Sequence, residues 1–325
     1  MTHPTQDARG YPVALLAAAI LSTTAVLIRH LTVSYQMPAL VLATWRDLFV
    51  ALTVLPALAL IRPMLLRVRR ADLGYLVVYG LVLAVFNAMW TLSVAINGAA
   101  AATVLAYSSA AFTALLGWWL LKEPLTWVKL AAVVMSLGGC ALVADALSAE
   151  AWNTNWVGIL TGVLSGLCYA AYSLMGRAAS QRGLNAWTTL LYTFIFATVF
   201  LLVFNLGGGS FLPGAARTPA ELLWLGDRWG GWLVLLALAA GPTVLGFGMY
   251  NVSLTLLPSS IANLLVTTEP VFTATIAWFF LGERLDVQQI IGAAVVLGGV
   301  IFLRLFEGKR IRTPESAAPA DTVSG

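Results

Sequence analysis

Apolar residues run along this chain in ten long blocks. They lie near 12–30, 38–61, 73–96, 99–121, 126–145, 156–176, 186–205, 231–256, 259–281 and 287–306. An α-helix needs about 20 such residues to cross a hydrocarbon core of ~30 Å. In lipid every backbone polar group must be paired within its own segment, so the blocks predict helices. A strand of an outer-membrane barrel would alternate over only about 10 residues. The run from Pro12 to Ile28 is followed by no small-x-small cleavage site before further blocks begin. It reads as a first span rather than a removable signal.

Composition agrees that lipid is the solvent. Hydrophobic residues make up 60% of the chain and charged residues 10%, with a mean hydropathy of +0.88. A soluble domain carries about 25% charged residues to face water. The 12 Trp suit membrane interfaces. The net charge of +4 reflects how basic residues are distributed between blocks, so no nucleic-acid partner is expected. With the N-terminus inside, one face collects Arg9, Arg62, Arg67, Arg69, Arg70, Lys122, Lys129, Arg177, Arg182 and the basic residues from Arg304 onward. The other collects Arg29, Arg217, Arg228 and Arg284. The positive-inside bias predicts both termini in the cytoplasm. Cys140 and Cys168 sit in apolar blocks and predict no disulfide.

A shift of 160 residues lays Ser93 on Ser253 without a gap. It superimposes Phe112-Thr113-Ala114 on Phe272-Thr273-Ala274, Trp118 on Trp278, Glu123 on Glu283, and Gly138-Gly139 on Gly298-Gly299. The chain is therefore a duplication. Each half holds five spans, an odd number, so the halves enter the membrane in opposite orientations. Inverted repeats of this kind carry a site near the midplane in secondary transporters. A weaker match sets Arg29 on Arg177.

The stretch "MYNVSLTLLPSSIANLLVTTEPVFTATIAWFFLGERLDVQQIIGAAVVLGGVIF", with its Glu-Pro-Val-Phe element and Leu-Gly-Glu-Arg-Leu junction, resembles the EamA family of the drug/metabolite transporter superfamily. The resemblance covers about 12–305. It implies an all-α membrane protein with ten transmembrane helices in two inverted five-helix repeats, a central cavity, and transport of a small metabolite. The expected organisation is a cytoplasmic segment 1–11, a first repeat 12–145, a second repeat 156–306, and a disordered cytoplasmic tail 307–325. The first-half copy has Ser109-Ala110 where many family members have Pro, so a weaker kink is expected there.

Two charges lie deep in the blocks. Glu269 is ten residues into its span, about 15 Å at 1.5 Å per residue. Its repeat partner is the neutral Ser109, so architecture alone does not demand it. An intramembrane acid is a functional candidate by default; the bland alternative is a protonated Glu bonded to a neighbouring helix. Pro270 leaves the Val266 carbonyl without a helical donor. Arg46 is the second deep charge, a candidate for a substrate carboxylate or for a structural pairing with backbone carbonyls or with an acid such as Glu269. Asp47 is expected to point elsewhere on the helix. Trp45, Asn87, Trp90, Tyr107, Tyr169, Tyr172, Tyr192, Tyr250 and Asn251 are candidates for an aromatic and polar cavity wall, although each alone reads as well as a packing residue. Glu123 and Glu283 are expected to be structural, each serving the N-terminal dipole of the helix that follows it. The two Gly-Gly pairs are expected to permit close helix contact.

Other classes fit less well. The two histidines, His3 and His30, allow no His-based triad or metal site, and no nucleotide loop appears, so no enzyme, cofactor or metal is expected. The favoured reading is an inner-membrane exporter of amino acids or related amphoteric compounds working by alternating access, with protons as a candidate coupling ion. Multidrug or organic-cation efflux is the alternative, and a channel or non-transport membrane protein the different-class alternative. The expected partners are a small-molecule substrate and membrane lipid. A monomer is the default.

Overall fold

The computed structural model describes residues 9–121, 125–209, 211–256 and 265–310. Helices account for all the regular structure among them: α1 (Gly10–Ser34), α2 (Ala39–Ile61), α3 (Arg70–Asn97), α4 (Ala99–Ala106), α5 (Ser109–Leu121), α6 (Trp127–Val143), α7 (Ala149–Gln181), α8 (Ala186–Gly208), α9 (Trp229–Leu238), α10 (Gly246–Leu256), α11 (Glu269–Leu281) and α12 (Val287–Arg310). α4 and α5 together make the fourth span. α9 and α10, joined by a π-turn at Ala239–Leu245, make the eighth. Among the described residues, seven spans are long and apolar enough to cross a membrane, and the shorter α6, α11 and Val287–Leu303 are apolar too. Seven and three give the expected ten. Large apolar side chains such as Leu60, Phe279, Phe280 and Val287 stand exposed on the outside, as a lipid solvent permits.

Packing follows the duplication. α2 lies against its repeat mate α8 and α6 against its mate α12, while α4 of the fourth span meets α11 of the ninth. The contact of α3 with α7 is mirrored by that of α10 with α1, and the contact of α5 with α7 by that of α11 with α1. The two inverted five-helix repeats thus share one pseudo-two-fold arrangement. α6 and α12 approach through glycine. A Cβ on Gly139 would stand 2.7 Å from the Gly292 carbonyl oxygen, and one on Gly299 2.9 Å from Met135 Cβ. Only the second member of each predicted pair is at the contact: Gly138 has open space, and Gly298 an ordinary contact of 3.5 Å. A 3.6-residue helix can present just one of two adjacent residues to a neighbour.

Two departures from expectation matter for the site. The fourth span breaks at Tyr107-Ser108 although no proline is present. It breaks at the same repeat position as the ninth, at Thr267-Thr268. The break is held by tight i→i+3 bonds, Tyr107 N–H to Val104 O at 3.0 Å and Ser108 N–H to Leu105 O at 3.1 Å. Gly166 of α7 lies directly against Ser108, leaving no room for a Cβ. Inside α7, Asn155 is non-helical, which starts the sixth span where hydropathy predicts. Glu123, the tail after residue 310 and residues 1–8 lie outside the described residues.

Candidate functional site

A cavity of about 590 Å³ lies among the helices of both repeats. The first repeat contributes Leu21 and Thr24 from α1, Arg46 from α2, Phe86, Asn87 and Trp90 from α3, Thr103 from α4, and Tyr107, Ser109 and Thr113 from the broken fourth span. The second contributes Tyr169, Tyr172 and Ser173 from α7, Thr243 from the π-turn, Phe247 and Tyr250 from α10, and Val266, Thr267 and Glu269 at the break before α11. Both helix breaks and the π-turn therefore face it. Irregular backbone at membrane depth is tolerated where it lines such a space. Arg46 and Glu269 are the two charged residues among the described lining.

Arg46 is buried, and its partner is Asp47. Both Nε and Nη2 donate to Asp47 Oδ1 at 3.2 Å. The guanidinium also lies over Trp90, 5.7 Å from the ring centroid. Asn87 Nδ2 donates to the other carboxylate oxygen, Asp47 Oδ2, at 2.6 Å. This differs from the expectation that Asp47 points elsewhere on the helix. Adjacent Cβ atoms do diverge on a helix, but the long Arg stem folds back to reach its neighbour. No Arg46–Glu269 ion pair occurs among the described residues; the acid that holds Arg46 is Asp47 instead.

Glu269 opens α11, immediately before Pro270. Tyr107 Oη stands 3.2 Å from Glu269 Oε2 and 3.0 Å from the Val266 carbonyl. That carbonyl is the one Pro270 leaves without an N–H donor. The two helix breaks, one in each repeat, are thus joined through a tyrosine and a carboxyl group.

Aromatic rings form one wall. Phe86 stacks with Trp90 at 6.2 Å and with Tyr169 at 5.2 Å, and Tyr172 lies beside Phe86 at 6.4 Å and Tyr79 at 4.8 Å. Trp45 is not in that wall. It donates Nε1 to Leu222 O at 2.6 Å and packs edge-on to Trp232 at 4.8 Å, holding the long α8–α9 loop. One residue along from Arg46, it faces another direction. Tyr192 likewise turns away, donating to Leu66 O at 2.8 Å. Asn251 has its side chain outside the described set. Phe86, Thr243 and Phe247 join the cavity without having been singled out. Only the period of their helices relative to Asn87 and Tyr250 could have flagged them.

Beyond Thr24 and Thr103 of the lining, α1 and α4 are joined to the end of α11 by a cross-repeat latch. Glu283, just after α11, accepts from Arg29 Nε of α1 at 3.0 Å and from the backbone N–H of Ala99 at 2.9 Å and of Ala100 at 3.4 Å, at the start of α4. Arg29 also donates to Ala95 O at the end of α3. Gly98, between α3 and α4, has φ +87°, and a Cβ there would come within 2.9 Å of Glu283 Oε1. Conformation and space therefore both require glycine. Glu283 does serve a helix dipole, but that of α4 rather than of α12, which follows it. Asp286 and Gln289 already cap α12 reciprocally, with Gln289 N–H to Asp286 Oδ1 at 2.7 Å and Asp286 N–H to Gln289 Oε1 at 3.1 Å.

An inverted pair of five-helix repeats around a membrane cavity has a match among family models. The model described as the EamA-like transporter family matches residues 8–144 and 156–305. The chain belongs to that family. This EamA-like chain is 30% identical over 144 residues to an uncharacterized transporter of Archaeoglobus fulgidus, covering 44% of this chain and 46% of that one. The chain spans only about half to two-thirds of the first curated relatives it matches: 46%, 64% and 54% of their lengths. It is also 25% identical over 248 residues, 76% of each chain, to the threonine/homoserine exporter RhtA of Escherichia coli K12. A crystal structure of similar shape (TM-score 0.58, 17% identity) covers 93% of the EamA-like chain and 99% of its own. That likeness speaks to fold alone. The protein is therefore a multi-pass membrane protein of a transporter family.

Proposed function

We propose that this EamA-like protein exports small amphoteric metabolites, amino acids among them, across the inner membrane by alternating access. The observation that carries the reading is a membrane-embedded cavity with a guanidinium, Arg46, and a carboxyl group, Glu269, in one otherwise aromatic and hydroxyl-lined space. A substrate carrying both an acid and an amine has a partner for each. The similarity to an exporter of threonine and homoserine supports the same class.

Residues 12–145 and 156–306 act as the two moving repeats, with 1–11 and 307–325 as cytoplasmic ends. In that orientation the Arg29–Glu283 latch lies toward the outer face. Cysteines placed at Met64 and Ala220, both exposed, should label with an impermeant thiol reagent from opposite faces of the membrane. Labelling from one face defeats the inverted topology.

The functional test is counterflow in proteoliposomes preloaded with L-threonine, its amide, or 3-hydroxybutyrate, the same skeleton without the amine. Exchange of the zwitterion above the other two is expected. The cation-efflux reading is favoured by the aromatic wall, since rings attract cations. It predicts that the amide exchanges best. No exchange with any of the three removes the amphoteric-metabolite proposal.

A further inference from the structure

Asp47 is fully buried, does not line the cavity, and touches two groups that do. Its Oδ1 takes both Arg46 bonds, at 3.2 Å, and its Oδ2 takes the Asn87 amide, at 2.6 Å. It sits behind the wall and joins α2 to α3 there. A carboxylate only accepts, so the bond fixes the Asn87 amide with its NH₂ toward Asp47. The Asn87 carbonyl oxygen is then the atom left to accept from a ligand.

We propose that Asp47 sets the charge selectivity of the cavity: by cancelling Arg46 it makes the site reject net anions and admit net-neutral zwitterions or cations. Arg46 and Asp47 form an ion pair with no net charge, oriented with the guanidinium at the wall and the carboxylate behind it. Such a pair orients an incoming carboxylate but supplies no surplus positive charge. A simple anion would lose its hydration on entering a low-dielectric space without net compensation. A zwitterion loses less, because its amine brings its own countercharge and Glu269 lies in the same cavity. The second charge of the lining is acidic, which adds to the bias against anions. This rests on the transport reading above, and it narrows the substrate to organic solutes without net negative charge.

The inference predicts a gain rather than a loss. Asp47→Asn keeps shape and a hydrogen-bonding oxygen but leaves Arg46 with its full charge. Binding can be measured by thermal stabilisation of the detergent-purified full chain with L-threonine, L-threoninamide and 3-hydroxybutyrate. In the wild type, 3-hydroxybutyrate should bind weakest. In Asp47→Asn its affinity relative to threonine should rise about tenfold or more, equivalent to about 1.4 kcal/mol. Arg46→Gln, which leaves Asp47 uncompensated, should move the ratio the other way, toward the amide. Either single variant decides the matter if it folds. Should unpaired charge unfold both, the neutral double variant Arg46→Gln with Asp47→Asn is expected to fold and still to discriminate against the anion. An Asp47→Asn protein with unchanged relative affinities overturns the inference and leaves Asp47 a packing element, as does a double variant that binds the anion as well as the zwitterion. If no probe stabilises the wild type but the anion stabilises Asp47→Asn, the charge assignment stands and the choice of amphoteric substrate falls.

Discussion

Glu269→Gln should give a folded, inserted protein whose transport falls about tenfold to a hundredfold and no longer depends on pH. The expectation comes from a count of protons. Tyr107 has one hydroxyl proton, and the Val266 carbonyl and Glu269 Oε2 both lie within reach of it. If Glu269 carries a proton, it can donate to Tyr107, which donates to Val266. If Glu269 is ionised, the Tyr107 proton turns to the carboxylate. The Val266 carbonyl, which Pro270 cannot serve, loses that donor. A charge-assisted hydrogen bond is worth about 1.5–3 kcal/mol, which corresponds to that range of rate. Protonation of Glu269 would therefore rearrange the contact between the two helix breaks. Gln mimics the protonated acid and holds one arrangement. The check is initial transport rate against pH in proteoliposomes, with yield and melting temperature as controls. A variant with wild-type rate and an unaltered pH profile would return Glu269 to a structural role. Tyr107→Phe should show a smaller loss, because it removes the relay but leaves the titrating group.

Glu283→Gln should open the latched face. In a background with Cys140 and Cys168 replaced by Ser, a cysteine at Thr24, five residues from Arg29 and lining the cavity, should react about tenfold faster with an impermeant reagent from that face. The Arg29–Glu283 pair is partly exposed, at 25% and 19% of the two side chains, so screening leaves it a modest term. Most of the effect is expected from the Ala99 and Ala100 N–H groups, which lose a charged acceptor at the positive end of α4. Faster labelling with preserved folding supports a gate. Lower melting temperature with unchanged labelling would show that Glu283 only braces the fold.

Local signals in the sequence carried the architecture. The ten hydropathy blocks correspond, among the described residues, to seven helical spans long enough to cross and three shorter apolar helices, and the offset of 160 is visible again in the matching breaks at Tyr107-Ser108 and Thr267-Thr268. The freed Val266 carbonyl was legible from Pro270 alone, because the missing N–H is a property of proline. The contents of the site were less legible, since they depend on where side chains end rather than where they begin. Asp47 was lost because a helical wheel treats Arg46 as a fixed vector. Trp45 was misassigned because composition does not say which side of α2 meets the cavity. The target of Glu283 lies 184 positions upstream, at Ala99, beyond any motif-scale pattern.

At its closest point the crossing of α6 and α12 is made by glycine rather than by a long side chain. The Gly139 and Gly292 backbones touch directly, and Val296 and Val143 close the gap on either side. Backbone against backbone cannot shorten or slide by a rotamer change, so this pair behaves as a stiff post. Relative motion of the two repeats would then pivot on this contact, and bending would fall at the two breaks and the π-turn, where the helical ladder is already interrupted.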